Sequence, residues 1–252
     1  MCCGVLALLL LVGGCRRAEP VRVVADPALK GALDELAPLF REQYAGGWNV
    51  QYQESAAIQQ LPADDFPHVV LTVEPVAQHL LKGGLVEEST MRTFAGDLLT
   101  VVTPRSRPLG LAKVGDLVIT LFKGIGVGDK GTSVGYYATQ ALIADGAQGK
   151  IKEQLKEYSS LAEIVEAVGS ASIDFGMVYA STAAQNKELA VAMTIPEDLY
   201  QDIRYSAVAS KAAAQKSGVV ELLKFLAEDE KTQQILGSYG YLDRKTAMDE
   251  TK

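Results

Sequence analysis

The sequence predicts an α/β protein with parallel-rich sheets that carry helices on both faces. Short apolar runs typical of buried strands, such as residues 69–73, alternate along the chain with longer segments whose apolar residues recur at helical spacing. This alternation favours parallel sheets, since a crossover helix joins each strand to the next. The length of 252 residues, with 48% hydrophobic content, suits one large domain or two smaller lobes.

The first predicted elements are a strand at residues 20–25 and an amphipathic helix behind it. From Leu29 to Phe40 the apolar residues follow an i, i+4, i+7, i+11 pattern, which indicates a helix with one buried face. Pro38 lies inside this pattern, and proline in a helix interior costs about 3 kcal/mol, so we expect a kink or an early end there. Residues 49–53 alternate like a second strand.

The same alternation continues to the end of the chain. Further strands are predicted at residues 98–103, 124–128, 175–179 and 205–209, with a helix at about 135–144. A last helical segment is predicted at residues 219–239, and Gly240 behind it can supply a left-handed C-terminal cap.

Composition excludes several classes of function. The net charge is −7 and no stretch is strongly basic, so nucleic acid is not expected as a partner. All three cysteines, Cys2, Cys3 and Cys15, lie in the first fifteen residues, which leaves the rest of the chain without a disulfide, a zinc site or a cysteine nucleophile. With only His68 and His79 in addition, neither a metal site nor a cofactor is expected.

The N-terminus has the pattern of a secretion signal. The apolar run at residues 5–12 is too short to span a hydrocarbon core of roughly 30 Å, and small residues precede Cys15. This pattern resembles the lipobox of bacterial lipoproteins, which predicts a signal peptide at residues 1–14 and a lipid on Cys15. No Lys or Arg precedes the run, and an ordinary secretion signal with an incidental Cys15 is the alternative.

Two enzyme motifs overlap at residues 126–135. The first, at residues 126–131, matches the G-x-G-x-x-G dinucleotide fingerprint, but two residues still separate its last glycine from the predicted helix. The second, at residues 131–135, matches G-x-S-x-G, the nucleophile elbow of α/β-hydrolases, and makes a secreted serine hydrolase that uses Ser133 the alternative from another class. Both histidines precede Ser133, whereas the triad order requires one after it.

A simpler interpretation of both motifs is an anion site. A glycine-rich turn brings the Ser133 hydroxyl and backbone N–H groups to the start of a helix, where the first N–H groups lack partners and the helix dipole is positive. The alternative is that Thr132 or Ser133 only caps its own helix.

Five segments in order resemble the molybdate-binding proteins of bacterial uptake transporters. They are VVADPALKGALDELAPLF, FPHVVLTVEPVAQHLLKGGLVEES, IGVGDKGTSVGYYATQAL, SSLAEIVEAVGSASIDFGMVYASTA and FLAEDEKTQQILGSYGY. The resemblance implies a two-lobe, type II periplasmic binding protein fold with a ligand cleft between the lobes. It places residues 15–102 and 204–252 in lobe 1 and residues 103–203 in lobe 2.

The resemblance also implies a function. The chain would be a monomeric, lipid-anchored binding protein outside the cytoplasm, without catalysis, that delivers molybdate or tungstate to the membrane permease subunits of an ABC transporter. Another oxyanion or a small organic acid is the alternative ligand. Carried over position by position, the ligand-binding residues of the family fall on Ala28, Ser55, Ser133, Val134, Leu161 and Tyr179.

The chain departs from the family pattern at Ala28, which replaces a serine, at Glu54, which replaces the first of two serines, and at residues 133–135, where the turn is one residue shorter. Two carboxylates also lie next to these positions. Asp26 and Glu54 flank Ala28 and Ser55, and we expect both side chains to point to solvent. If either faces the cleft, it accepts hydrogen bonds only from a protonated ligand and repels a fully ionised one.

Overall fold

The computed structural model describes residues 18–118 and 123–248. Its strands are β1 (Val21–Ala25), β2 (Trp48–Tyr52), β3 (Val69–Val73), β4 (Arg92–Asp97), β5 (Leu99–Pro104), β6 (Ile125–Gly128), β7 (Leu155–Tyr158), β8 (Phe175–Tyr179), β9 (Leu189–Thr194) and β10 (Ile203–Ala209). Its α-helices are α1 (Lys30–Gln43), α2 (Ser55–Gln59), α3 (Glu74–Lys82), α4 (Ser133–Ala144), α5 (Gln148–Ile151), α6 (Leu161–Gly169), α7 (Ala180–Gln185), α8 (Ser217–Glu228), α9 (Glu230–Ser238) and α10 (Arg244–Ala247).

The strands form two mixed sheets with helices packed on them. The first sheet has the order β2-β1-β3-β10-β4 and the second has the order β7-β6-β8-β5-β9. β1 runs parallel to β2 and β3, and β6 runs parallel to β7 and β8, as the alternation of strands and helices predicts. β10 and β5 are antiparallel to both neighbours, so both sheets are mixed rather than purely parallel. Each of these two strands enters its sheet directly from the other sheet, without a crossover helix.

The chain passes between the sheets twice. β4 ends at Asp97 in the first sheet, and β5 begins at Leu99 in the second. The return lies between Thr194, the end of β9, and Ile203, the start of β10. β5 therefore belongs as a whole to the second sheet, whereas the division expected from the sequence placed its first residues with lobe 1.

Buried strands agree best with the sequence prediction. β3 and β8 have the predicted bounds, and every residue in both is buried. β4, β7 and β9 were not predicted. All three are edge strands, and each contains residues that are exposed or half-buried.

Two helix predictions need correction. α1 does not end early at Pro38 but continues to Gln43, because Leu33, Leu36 and Phe40 on either side of the proline are fully buried. Burial of such side chains contributes roughly 1.5–3 kcal/mol each, which offsets the cost of the proline.

The predicted C-terminal helical segment is two helices, α8 and α9. They are separated at Asp229, whose carboxylate accepts the N–H of Thr232 at 2.8 Å and caps α9. Gly240 has a φ of +87°, which confirms its left-handed conformation behind α9.

The predicted signal peptide and Cys15 lie outside the described residues. Within the described residues, no helix is long and apolar enough to span a bilayer.

Candidate ligand-binding site

The carboxyl ends of the parallel strands of both sheets face each other. Asp26 follows β1 in the first sheet, and Ser133 begins the helix after β6 in the second. The hydroxyl Oγ of Ser133 donates to Oδ2 of Asp26 at 2.8 Å, and the N–H of Ala56 donates to the carbonyl of Gly131 at 2.9 Å. These contacts join the two sheets at the edge where ligands bind in open α/β folds.

On the first sheet, the turn after β1 presents Asp26 and Ala28. Asp26 precedes a 3-10 turn, Pro27–Leu29, and its Oδ1 accepts the N–H of Ala28 at 3.0 Å. Only 2% of Asp26 is exposed. The expectation that Asp26 points to solvent is therefore wrong, because its two carboxylate oxygens accept from Ala28 and from Ser133 across the interface.

On the second sheet, a tight turn leads from β6 into α4. Oγ1 of Thr132 accepts the N–H of Gly135 at 3.0 Å, so Thr132 is the helix cap and Ser133 is not. Ser133 and Val134 are buried in the first turn of α4, where backbone N–H groups have no acceptor within the helix. The turn requires glycine, since a Cβ on Gly135 would lie 2.2 Å from the carbonyl oxygen of Asp129.

Two of the hydroxyls predicted to bind the ligand are buried at this edge and have no hydrogen-bond partner among the described residues. Tyr179, the last residue of β8, is fully buried, and Ser55, the first residue of α2, is 5% exposed. Burial raises the pKa of Tyr179 well above its ordinary value, and so does the charge of Asp26, whereas the nearby Ser133 hydroxyl lowers it. Because a buried unsatisfied hydroxyl costs about 1–3 kcal/mol, both groups are suited to a polar ligand.

Leu161 and Ala28 lie on opposite walls of a cleft between the sheets. The cleft has a volume of about 450 Å³, and its walls come from the turn and helix after β1 on one side and from α6 and α7 on the other. Leu161 is the first residue of α6, which Ser160 caps by accepting the N–H of Glu163 at 3.3 Å. Of the six positions expected from the sequence, Ala28 and Ser133 each donate a hydrogen bond to the carboxylate of Asp26. Tyr179 lies close to both Asp26 and Ser133.

Acidic groups dominate the charge around the site. Burial raises the pKa of Asp26 above its ordinary value, while the hydrogen bonds from Ala28 and Ser133 oppose this effect. Burial also raises the pKa of the half-buried Glu54 to about 8, and the carboxylates of Asp26, Asp129 and Glu163 add to the shift. The Glu54 side chain is therefore partly buried and interacts electrostatically with the carboxylates of the site, instead of pointing to solvent as expected.

The family model for bacterial extracellular solute-binding proteins matches residues 21–242. The chain belongs to this family. No match was found among curated proteins.

Solved solute-binding proteins share its fold. The periplasmic molybdate-binding protein of Azotobacter vinelandii is 20% identical, with 88% of this chain and 98% of that chain covered and a TM-score of 0.76. The sulfate-binding protein SubI of Mycobacterium tuberculosis H37Rv is 19% identical, with coverages of 88% and 86% and a TM-score of 0.72. PEB3 of Campylobacter jejuni with L-phospholactate is 14% identical, with coverages of 88% and 99% and a TM-score of 0.72. The two-lobe, type II fold expected from the sequence is confirmed.

In the described residues of this solute-binding protein, Ser133 lacks the histidine partner that the hydrolase motif requires. The Ser133 hydroxyl donates to the carboxylate of Asp26 rather than to a histidine. His68 lies at the opposite end of the first sheet, where its Nδ1 accepts the N–H of Arg22 at 3.2 Å, and His79 is exposed on α3. In the described ranges, no cluster of three or more His, Cys, Asp or Glu side chains could hold a metal ion.

Sequence analysis missed part of the environment of the site. The hydroxyl of Tyr241 donates to the carbonyl of Ala28 at 2.6 Å, and the rings of Tyr137 and Tyr205 pack edge-on against Tyr179 at centroid distances of 6.5 and 6.2 Å. These tyrosines come from three separate segments, so only the fold brings them together.

Proposed function

We propose that this solute-binding protein is the receptor of an ABC uptake transporter for a tetrahedral oxyanion, with molybdate or tungstate as the ligand. The observation that carries the proposal is the pair of buried hydroxyls without partners, Ser55 and Tyr179, at the edge where the two sheets meet. Hydroxyls and backbone N–H groups are the donors that an oxyanion requires, and a desolvated site strengthens each of these bonds.

The proposed ligand contacts come from both sheets. The first sheet contributes Ser55 and the turn at Ala28. The second contributes the Ser133 hydroxyl, the N–H groups at Val134 and Leu161, and the Tyr179 hydroxyl. Val134 and Leu161 lie in the first turns of α4 and α6, where the helix dipole favours negative charge.

We assign the two sheets to two lobes that close on the ligand. The two chain crossings, at Leu98 and between residues 194 and 203, form the hinge in this proposal. A ligand that contacts both lobes stabilises the closed form by its differential affinity, and the membrane permease subunits would recognise closure. This function requires no catalysis and no cofactor, and the receptor would act as a monomer.

The anchor is part of the proposal. The small residues before Cys15 favour cleavage after residue 14 and a lipid on Cys15, which would hold the receptor on the outer face of a membrane. The family is extracellular by its description, in agreement with this location.

A small organic acid is the second candidate ligand. The cleft of about 450 Å³ beside Ala28 and Leu161 has room for an organic group attached to an anionic head.

A thermal-shift panel of molybdate, tungstate, sulfate, phosphate and small carboxylates at pH 6 tests the proposal. At a hundredfold excess over its Kd, a ligand stabilises the native state by about 2.7 kcal/mol. For a chain of this size, about 2–4 °C per kcal/mol gives an increase in Tm of roughly 5–11 °C. We expect this response to molybdate and tungstate ahead of phosphate. A response to carboxylates alone would contradict the oxyanion assignment and favour the second candidate.

A further inference from the structure

Asp26 uses donors that the proposed ligand would also need. Its Oδ1 accepts the N–H of Ala28 at 3.0 Å, and its Oδ2 accepts the hydroxyl of Ser133 at 2.8 Å. The first donor belongs to one sheet and the second to the other. The carboxylate, itself an anion, therefore bridges the two walls of the site where an oxyanion is proposed to bind.

The elements around Asp26 bring further negative charge to this point, and Lys130, in the turn between β6 and α4, is exposed. Glu54 before α2 interacts electrostatically with Asp26, with Asp129 after β6 and with Glu163 on α6. Lys30, at the start of α1, is paired with Asp34 at 2.5 Å and lies over the ring of Tyr52. Four tyrosine hydroxyls also interact electrostatically with Asp26, those of Tyr137, Tyr179, Tyr205 and Tyr241.

An ionised carboxylate and a fully ionised oxyanion are incompatible in such a site. Neither can donate a hydrogen bond, and at contact distance in a buried environment the two charges repel each other strongly. A neutral carboxyl group removes the repulsion and adds one O–H donor. Burial already favours the neutral form of Asp26, and an entering dianion favours it further.

We propose that Asp26 couples anion binding to proton uptake, so that each molybdate or sulfate dianion binds together with about one proton on this carboxyl group. The inference rests on the proposed function, because it requires an oxyanion next to Ala28 and Ser133. It makes Asp26 a specificity-determining residue, since fully ionised anions then bind more weakly as the pH rises.

The expected pH dependence follows from linkage. At pH values where Asp26 is ionised in the free protein, binding takes up one proton, so the Kd for molybdate rises tenfold for each unit of increase in pH. Where Asp26 is already neutral, Kd does not change with pH.

Calorimetric titration of the purified protein with sodium molybdate tests this inference. Titrations from pH 6 to pH 8.5, each in two buffers with different ionisation enthalpies, give both Kd and the number of protons taken up. We expect uptake that approaches one proton at the alkaline end for the wild type. Asp26→Asn, which keeps the shape but cannot be ionised, should bind molybdate more tightly than the wild type at pH 8.5 and without Asp26-linked uptake.

Glu54→Gln is the matched control, because it removes a neighbouring carboxylate that has no hydrogen bond to Ala28 or Ser133. Proton uptake that persists in Glu54→Gln and disappears in Asp26→Asn supports the inference, and the reverse pattern overturns it. If Asp26→Asn does not fold, the number of protons that the wild type takes up on binding decides alone. A Kd that does not depend on pH, together with no proton uptake, overturns the inference.

The proposed function and this inference fail in different ways. If neither the wild type nor Asp26→Asn binds any oxyanion at any pH, the proposed function is wrong and the inference is overturned with it. If the wild type binds without proton uptake, only the inference is wrong. Binding at pH 8.5 by Asp26→Asn but not by the wild type supports both.

Discussion

Tyr179→Phe should stabilise the free protein and weaken ligand binding. The Tyr179 hydroxyl is fully buried without a hydrogen-bond partner among the described residues, so the folded protein bears its desolvation cost. Removal of such a group gains up to about 1–3 kcal/mol in the free energy of unfolding. In the complex, the same change removes one neutral hydrogen bond of about 0.5–1.5 kcal/mol, which raises Kd roughly 2- to 12-fold.

Tyr205→Phe is the matched control for this prediction. Tyr205 is also fully buried with an unpartnered hydroxyl, and its ring packs against Tyr179 at 6.2 Å, but it lies on β10 and is not a proposed ligand contact. Both variants should show higher denaturant midpoints, and only Tyr179→Phe should show a higher Kd in calorimetric titration with molybdate. Equal affinity of Tyr179→Phe and the wild type, or an equal loss in Tyr205→Phe, would refute the assigned role of Tyr179.

Three further predictions concern other parts of the chain. Burial raises the pKa of Asp97 from 3.8 to about 7, so the folded state binds more protons than the unfolded one and stability falls as the pH rises between these values. From pH 4 to pH 8, the free energy of unfolding of the wild type, measured with denaturant, should fall by up to about 4 kcal/mol relative to that of Asp97→Asn, at ~1.36 kcal/mol per pKa unit. The same dependence of this free energy on pH in both proteins would contradict the prediction. Cys15→Ser should move the protein from the membrane to the soluble fraction of cells, and unchanged fractionation would rule out the lipid anchor. Ser133→Ala should leave any esterase activity of the preparation unchanged, since Ser133 has a carboxylate rather than a histidine as its partner.

The sequence predicted best the strands whose residues form a continuous apolar run. β3 and β8 are continuous apolar runs buried on both faces, and both have the predicted bounds. β7, at an edge, has only four residues, all of them half-buried or exposed and without alternation, so its pattern cannot be distinguished from that of a loop. α1 passes through Pro38 because of its packing against the rest of the protein, a contribution that helix propensity does not contain.

The position of Ser133 at a helix start was predictable from the sequence, whereas the burial of Asp26 was not. Ser133 could be placed at a helix start because a glycine-rich turn precedes it. Asp26 was expected in solvent, as acidic residues usually are. Its burial depends on Ser133, which lies 107 positions away in the sequence, so no local pattern around Asp26 reveals it.

A crystal structure of the protein grown with tungstate tests the central claim most directly, because the anomalous scattering of tungsten locates the anion independently of the protein. We predict one strong anomalous peak between the two sheets, with its oxygens within hydrogen-bond distance of Ser55 Oγ, Tyr179 Oη and the backbone N–H of Val134. A peak elsewhere on the protein, or no peak at saturating tungstate, would contradict the assignment of this site to an oxyanion.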